Sequence, residues 1–226
     1  MSYQSSGPER SGTGGGTLAS RRKGQDMGLL EHDRLVVNQK AKLIEITNEY
    51  AIMDEGGNRI GAIRQEGQTA LKKIARLVSS LDQFLTHTVA VYEADGTKLL
   101  EIVRPRKIMK SSFQITDGQG VQLGGITQKN VFGKKRFAII GQSGEVLGAI
   151  NAQNWRAWNF EILGQTGEPI GRVTKKWAGL GKEMFTSADN YAIEIEPHVQ
   201  GTLRLLVLAS ATAIDTALKQ DAGGFN

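Results

Sequence analysis

Cysteine is absent from the 226 residues, which rules out disulfides, thiolate nucleophiles, cysteine-held metal and palmitoylation. A disulfide-stapled secreted fold is thereby excluded. The 3 histidines, His32, His87 and His198, are scattered and show no metal-ligand spacing. Catalytic motifs are missing too. Gly141-Gln-Ser143-Gly144-Glu145 lacks the last glycine of a nucleophile elbow, and Gly133-Lys134 lacks both the upstream glycine and the following Ser/Thr of a phosphate loop. No acid pair recurs beside a base, so no catalysis is expected. Long apolar runs are also lacking: in the most apolar stretch, near the C-terminus, the longest unbroken run is 205–209.

Among what is present, glycine stands out, with 28 residues against 4 prolines. The net charge of +5 is mild and favours anionic partners only weakly. Residues 1–26 are polar, rich in Gly and Ser, contain no apolar h-region and end near Arg21, Arg22 and Lys23. Such a segment buries too little surface to offset its ordering entropy, so a disordered basic arm without a signal peptide is expected. A single domain over 27–221 and a short tail over 222–226 complete the expected organisation. Lys and Arg cluster in three further places: Arg104, Arg106, Lys107 and Lys110; Lys129, Lys134, Lys135 and Arg136; and Lys175, Lys176 and Lys182 around Trp177. Each cluster alone reads as a solvated loop. Brought to one rim of a fold, they would make a phosphate-binding surface, with Trp155, Trp158 and Trp177 as interfacial aromatics.

The glycines fall in register. Aligning the chain on Ile52, Val91, Ile115, Ile139 and Ile162 places Tyr50, Val89, Phe113, Phe137 and Phe160 two residues before. Gly57, Gly96, Gly120, Gly144 and Gly167 stand five residues after the anchor in every copy. Ile or Leu follows at plus eight, and Ile or Val at plus eleven. At plus nine stand Gly61, Gly124, Gly148 and Gly171, with Leu100 in the second copy. The aromatic-x-Ile step is the period-2 alternation of a strand. The constant glycine supplies the positive φ that a tight hairpin loop needs. Plus eight and plus eleven break strict alternation, which predicts a bulge or a close backbone approach beside the second glycine. Five hairpins, with Leu35-Val36-Val37 before them and 191–195 after, amount to about twelve strands. So many strands in one domain should close on themselves, which removes exposed edges.

Two stretches break the β pattern. Residues 69–85 carry Leu71, Ile74, Leu77, Val78, Leu81 and Leu85, the stripe of an amphipathic helix on the outside of the barrel. Residues 202–220 are apolar nearly all round and, as a helix, would measure about 28 Å. Arg204, Ser210, Thr212 and Asp215 interrupt them. A central Asp or Arg costs about 2.5–3.5 kcal/mol on membrane insertion. The expected place of this helix is therefore inside the barrel rather than in a bilayer.

Three segments then resemble one family: Phe160-Glu-Ile; the run from Pro169-Ile-Gly through Lys175-Lys176-Trp177; and Glu183-Met-Phe-Thr-Ser-Ala-Asp-Asn-Tyr-Ala-Ile193. They are similar to the C-terminal half of phospholipid scramblases, as are the terminal Ile214-Asp215 pair and Arg104-Pro105-x-Lys107. The hairpins alone equally suit Tubby-like and LURP-one-like proteins. The resemblance implies a twelve-stranded Tubby-like barrel threaded by its C-terminal helix. It also implies a lipid-related function: binding of anionic phospholipid at a membrane surface, or movement of phospholipid between leaflets. Expected phosphate ligands are Arg104, Arg106, Lys107, Lys134, Lys135, Arg136, Lys175, Lys176 and Trp177. The family's calcium loop would fall near residues 187–198. Here Ser187 and Ala192 replace an acid and a glycine, leaving Asp189 and Asn190 as a remnant that is not expected to hold calcium tightly. No cofactor is expected. The expected location is cytoplasmic, peripheral on the inner face of the plasma membrane. The alternative is a soluble protein- or nucleic-acid-interaction module on the same fold, although no interleaved aromatic stacking motif supports nucleic acid.

Overall fold

In the computed structural model, the described residues are 28–38, 49–66, 86–105, 110–130, 133–154, 158–175 and 190–223. A short 3-10 turn, Leu29–Glu31, leads into β1 (Arg34–Asn38). Five hairpins follow: β2 (Glu49–Met53) with β3 (Arg59–Glu66), β4 (His87–Glu93) with β5 (Lys98–Arg104), β6 (Ser112–Asp117) with β7 (Gln122–Gln128), β8 (Arg136–Gly141) with β9 (Val146–Asn154), and β10 (Asn159–Gly164) with β11 (Pro169–Thr174). Strand β12 (Asn190–Ile195) and helix α1 (Gly201–Gly223) end the described chain. All twelve strands are antiparallel to their neighbours, and β1 pairs with both β2 and β12, which closes the barrel. The expected outer helix over 69–85 lies outside the described residues, as does the arm over 1–26.

The five-fold repeat explains the geometry. In each loop the constant glycine has φ between +78° and +89°, the conformation that a side chain resists. Each hairpin also shifts register by one residue, so that the residue at plus eight has no partner and the residue at plus nine pairs with the anchor. This is the predicted bulge. The plus-nine glycine has a second reason, since a Cβ on Gly148 would lie 2.5 Å from the Leu163 carbonyl oxygen of the next strand, and one on Gly61 would lie 2.6 Å from that of Tyr92. Both the bulge and the close backbone approach are therefore present at one site.

Anchor and aromatic residues point inward. Ile52, Val91, Ile115, Ile139 and Ile162 are buried, as are Phe113, Phe137 and Phe160. They meet Leu206, Val207, Ala209, Ala211, Ala213, Ile214 and Ala217 of α1 in one continuous core. The small alanines let the inner wall come close to the helix. By length and composition alone, 201–218 could cross a membrane. In the structure it fills the barrel, where burying an all-round apolar surface is favoured at about 25 cal/mol per Å².

Alternation of strand direction sorts the connections into two rims. The five Gly turns, the entry to β1 and the entry to α1 all lie at one end. The longer connections leave and re-enter at the other end, where α1 also finishes.

Candidate functional site

Charge divides between these rims. At the hairpin rim the turns and the helix entry carry Asp54, Glu55, Asp95, Glu145, Glu168 and Glu196, against Arg34, Arg59 and Lys98 at strand starts. At the opposite rim the described connections present Lys110, Lys129, Lys134 and Lys135, followed by Arg136 at the start of β8 and Lys175 after β11, against Glu49 and Glu66 at strand ends. Strands of five to nine residues separate the rims by roughly 20 Å. That distance exceeds the ~8 Å Debye length of physiological salt, so the acidic rim does not cancel the field of the basic one.

The basic arc is built on amides. The Gln128 backbone N–H donates to the Ser111 carbonyl at 2.8 Å, and its side-chain oxygen accepts from the Ser111 N–H at 3.2 Å. The Gln128 amide then donates to the Asn130 carbonyl at 2.7 Å. Asn130 Nδ2 donates to the Lys134 carbonyl at 2.7 Å, and Asn130 Oδ1 accepts from the Arg136 N–H at 2.9 Å. Lys129 N–H donates to the Arg136 carbonyl at 2.8 Å, and Ala152 N–H to that of Lys135 at 3.0 Å. These bonds tie the ends of the β5–β6 and β7–β8 connections together. Lys110, Lys129, Lys134 and Arg136 project exposed from that frame, and Lys135 is half-buried.

Lys175 is held differently. Its backbone N–H donates to the Trp158 carbonyl at 3.1 Å, and its ammonium sits 4.3 Å from the centre of the Trp158 ring. The same ring stacks on Tyr191 at 5.9 Å and meets Phe160 edge-on at 6.3 Å. Tyr191 is fully buried and hydrogen-bonded to Thr212 of α1; burial and the nearby Asp215 push its phenol well above the usual range. Trp158 has φ +51°, the one non-glycine residue with positive φ among the described residues. For a bulky side chain that conformation costs of order 1–3 kcal/mol.

Two of the expected ligands sit elsewhere than on the surface. Arg104 is 1% exposed, which takes it off the surface and out of the set of headgroup ligands. It follows Leu100 and Ile102 at two-residue spacing on the inward face of β5, a period that the neighbouring basic run obscured. Asn190, the calcium-loop remnant, is buried at the start of β12, paired in register with Asn38. Arg106, Lys107, Lys176, Trp177 and Asp189 lie outside the described residues. Among the described residues, no grouping of His, Asp and Glu is arranged to hold a metal ion.

The hairpin rim carries what the sequence reading missed. Arg204, read only as an interruption of an apolar helix, is 3% exposed. It donates to the carbonyls of Leu30 at 2.7 Å, His32 at 2.9 Å and Val199 at 3.1 Å, and to Asp33 Oδ1 at 2.8 Å. Beside it opens a cleft of roughly 450 Å³ lined by acids that include Glu31, Asp54, Glu55 and Glu196. Glu93 lies at the same rim; burial raises its carboxyl pKa, opposed by the Leu29 N–H that it accepts.

The described residues thus form a closed barrel around its own helix, with its acidic turns at one rim and its exposed lysines gathered at the other. A Scramblase family model matches residues 18–218, and the chain belongs to that family. It is 23% identical to Phospholipid scramblase family protein C343.06c of Schizosaccharomyces pombe, over 73% of this chain and 46% of that protein. It is 25% identical to Altered inheritance rate of mitochondria protein 25 of Saccharomyces cerevisiae, over 67% of this chain and 53% of that one. The chain thus spans about half the length of the curated relatives it matches. An Arabidopsis thaliana protein of known X-ray structure aligns over 82% of this chain and 90% of its own, with a TM-score of 0.47 and 11% identity.

Proposed function

We propose that the protein binds anionic phospholipid at a membrane surface, without catalysis, through the rim that carries the long connections. The observation behind this reading is the separation of charge: Lys110, Lys129, Lys134, Lys135, Arg136 and Lys175 share one rim, and the acids of the tight turns occupy the other. A cation near an anionic leaflet contributes about 1 kcal/mol. The described cations together support association in the ~0.1 mM range at physiological salt. The barrel would dock end-on, with the acidic rim and Arg204 facing away from the lipid and the C-terminal end of α1 towards it. Cytoplasmic placement, on the inner face of the plasma membrane, fits a partner of this charge, because the anionic lipids concentrate there. Calcium has no part in this mode of attachment.

Sedimentation with vesicles tests the reading. Mixed phosphatidylcholine and phosphatidylserine vesicles should bind the protein, less so as salt rises, and pure phosphatidylcholine should not. The triple change Lys134→Glu, Lys135→Glu, Arg136→Glu should weaken binding at least 100-fold, from about 1 kcal/mol per charge. Glu145→Lys with Glu168→Lys, on the far rim, should not weaken it. Equal loss from both sets would refute end-on docking, and tighter binding to duplex DNA than to anionic vesicles would favour the nucleic-acid alternative. Transbilayer lipid movement is the narrower proposal. With α1 filling the barrel there is no lipid path through it, so movement requires the rim to disturb the bilayer, and a flip rate in reconstituted vesicles no higher than in protein-free ones would dismiss it.

A further inference from the structure

We propose that Glu93 is a receiving site for a chain terminus at Gly28. Hydrolysis of the Met27–Gly28 bond by an endopeptidase would set a new α-ammonium beside the Glu93 carboxylate and lock the segment that crosses the hairpin-side mouth of the barrel. The proposal concerns the rim opposite the basic one and is independent of the membrane reading.

The crossing segment is short and anchored at both ends. Strand β1 pairs only with β2 and β12, yet Leu29, just ahead of it, is held by β4. The Leu29 N–H donates to both oxygens of Glu93, at 2.9 and 3.2 Å. Its side chain is fully buried against Gly61 of β3, where a Cβ would lie 2.9 Å from Leu29 Cδ1. Residues 29–33 therefore span the mouth from β4 back to β1. At the far end Arg204 of α1 bonds the carbonyls of Leu30 and His32 and the carboxylate of Asp33. One strap thus ties β4 to the first turn of the core helix.

Glu93 is a charge without a countercharge. Both of its oxygens face a neutral amide, and no Lys or Arg pairs with it among the described residues. Burial raises its pKa and the neighbouring Asp95 and Glu31 add to the rise, while the Leu29 N–H and His32 oppose it. A cation within about 4–6 Å would stabilise such a carboxylate. Gly28 is placed to supply one. A Cβ built on Gly28 would lie 3.4 Å from Glu93 Oε1, so its Cα is turned towards the carboxylate. The α-nitrogen is bonded to the same Cα, and covalent geometry keeps it within roughly 6 Å of that oxygen. In the uncut chain this nitrogen is a neutral amide. Hydrolysis consumes one water, leaves a carboxylate on Met27 and leaves an amine on Gly28. That amine takes up a proton at neutral pH, because its ordinary pKa is about 7.7–8.0.

A cut made in the folded full chain tests this. A factor Xa sequence ending at position 27 leaves Gly28 as the terminus. The same sequence ending at position 26 leaves Met27, which removes the arm equally but carries the ammonium one residue, about 3.8 Å, further along the chain. Cutting to Gly28 should raise Tm by about 3 °C, the scale of a partly exposed ion pair. It should also slow hydrogen exchange at the Leu29 amide about fivefold. Cutting to Met27 should do neither. Glu93→Gln keeps an acceptor for the Leu29 N–H and removes the charge, so in that variant the two cuts should give the same Tm and the same exchange. A gain shared by both termini would assign it to loss of the basic arm, and a gain that survives Glu93→Gln would assign it to another acceptor. Either result overturns the proposal, as does no gain at all. Should Glu93→Gln fail to fold, the comparison of Gly28 with Met27 in the native chain decides alone.

Discussion

Replacing Arg204 by alanine should destabilise the protein more than any surface change, and the structure sets the scale. The guanidinium is buried between the first turn of α1 and the entry to β1, where it donates to three carbonyls and to Asp33. The ion pair itself counts for little, because the Asp33 side chain is 48% exposed and such pairs give about 0–1 kcal/mol. The carbonyl bonds matter more. A hydrogen bond to a charged donor is worth about 1.5–3 kcal/mol, but these hang on a single side chain, and water can replace those to Leu30 and His32, which are only part-buried. The bond to the Val199 carbonyl is fully buried and has no such substitute. A loss of about 3–4 kcal/mol follows, near the top of the range for single changes. At about 2–4 °C per kcal/mol for a chain of this size, Tm should fall by roughly 10 °C. Thermal melts followed by circular dichroism measure it, with urea unfolding as a second estimate. Arg204→Lys should recover less than half, since one ammonium cannot reach acceptors spread around the edge of the planar guanidinium, from Nε to Nη1 and Nη2. A fall of only a degree or two for Arg204→Ala would mean that the helix is held by apolar packing alone, and the reasoning would fail.

The two kinds of glycine should separate in urea. Gly120→Ala enters open space at φ +85° and costs about 1–2 kcal/mol of backbone strain, whereas Gly148→Ala drives a Cβ against a carbonyl 2.5 Å away and should cost about 2–3 kcal/mol or more. A larger loss from Gly120→Ala would contradict the close-approach account. Tyr191 makes stability fall at alkaline pH: burial raises its folded pKa above 10.0, so the folded state keeps a proton that the unfolded chain releases. Its contribution is intact below pH 10 and declines above it, by up to about 1.4 kcal/mol per pH unit. Tyr191→Phe should flatten that decline in melts taken between pH 9 and 11, and an unchanged slope would count against it.

The hairpins were legible because each is a local device. Alternation, a turn glycine and a plus-nine glycine all fall within about a dozen residues, and twelve strands with a buried helix followed from them. Arg204 was not legible, because its acceptors at residues 30, 32 and 33 lie some 170 positions away and nothing local marks them. Arg104 was misread for a different reason: charge count in the run Arg104-Pro105-Arg106-Lys107 outweighed the period-2 step from Leu100 through Ile102 that carries it inward. The convergence of the remaining basic clusters could be stated only as a condition from sequence. It follows once strand direction is known, because alternate connections of an antiparallel barrel must lie at opposite ends.

The two rims are not equally informative. The acids of the hairpin rim have a folding role that accounts for them. Asp54 accepts the Asn58 N–H at 2.8 Å, Asp95 that of Thr97 at 2.8 Å, and Asp117 those of Gln119 and Val121 at 2.9 Å. Bonds to the backbone of Thr97 hold Asp95 below its usual pKa, and the Thr166 hydroxyl does the same for Glu168, so these two carboxylates keep their charge further into acid. Any tight-turned barrel would gather acids there for that reason alone. Nothing in hairpin chemistry asks for lysine and arginine at the other end. The frame of Gln128 and Asn130 binds main-chain atoms and leaves the cationic side chains of Lys129, Lys134 and Arg136 pointing out. The basic rim is thus the part of the surface that the fold does not require, and the functional reading rests on it.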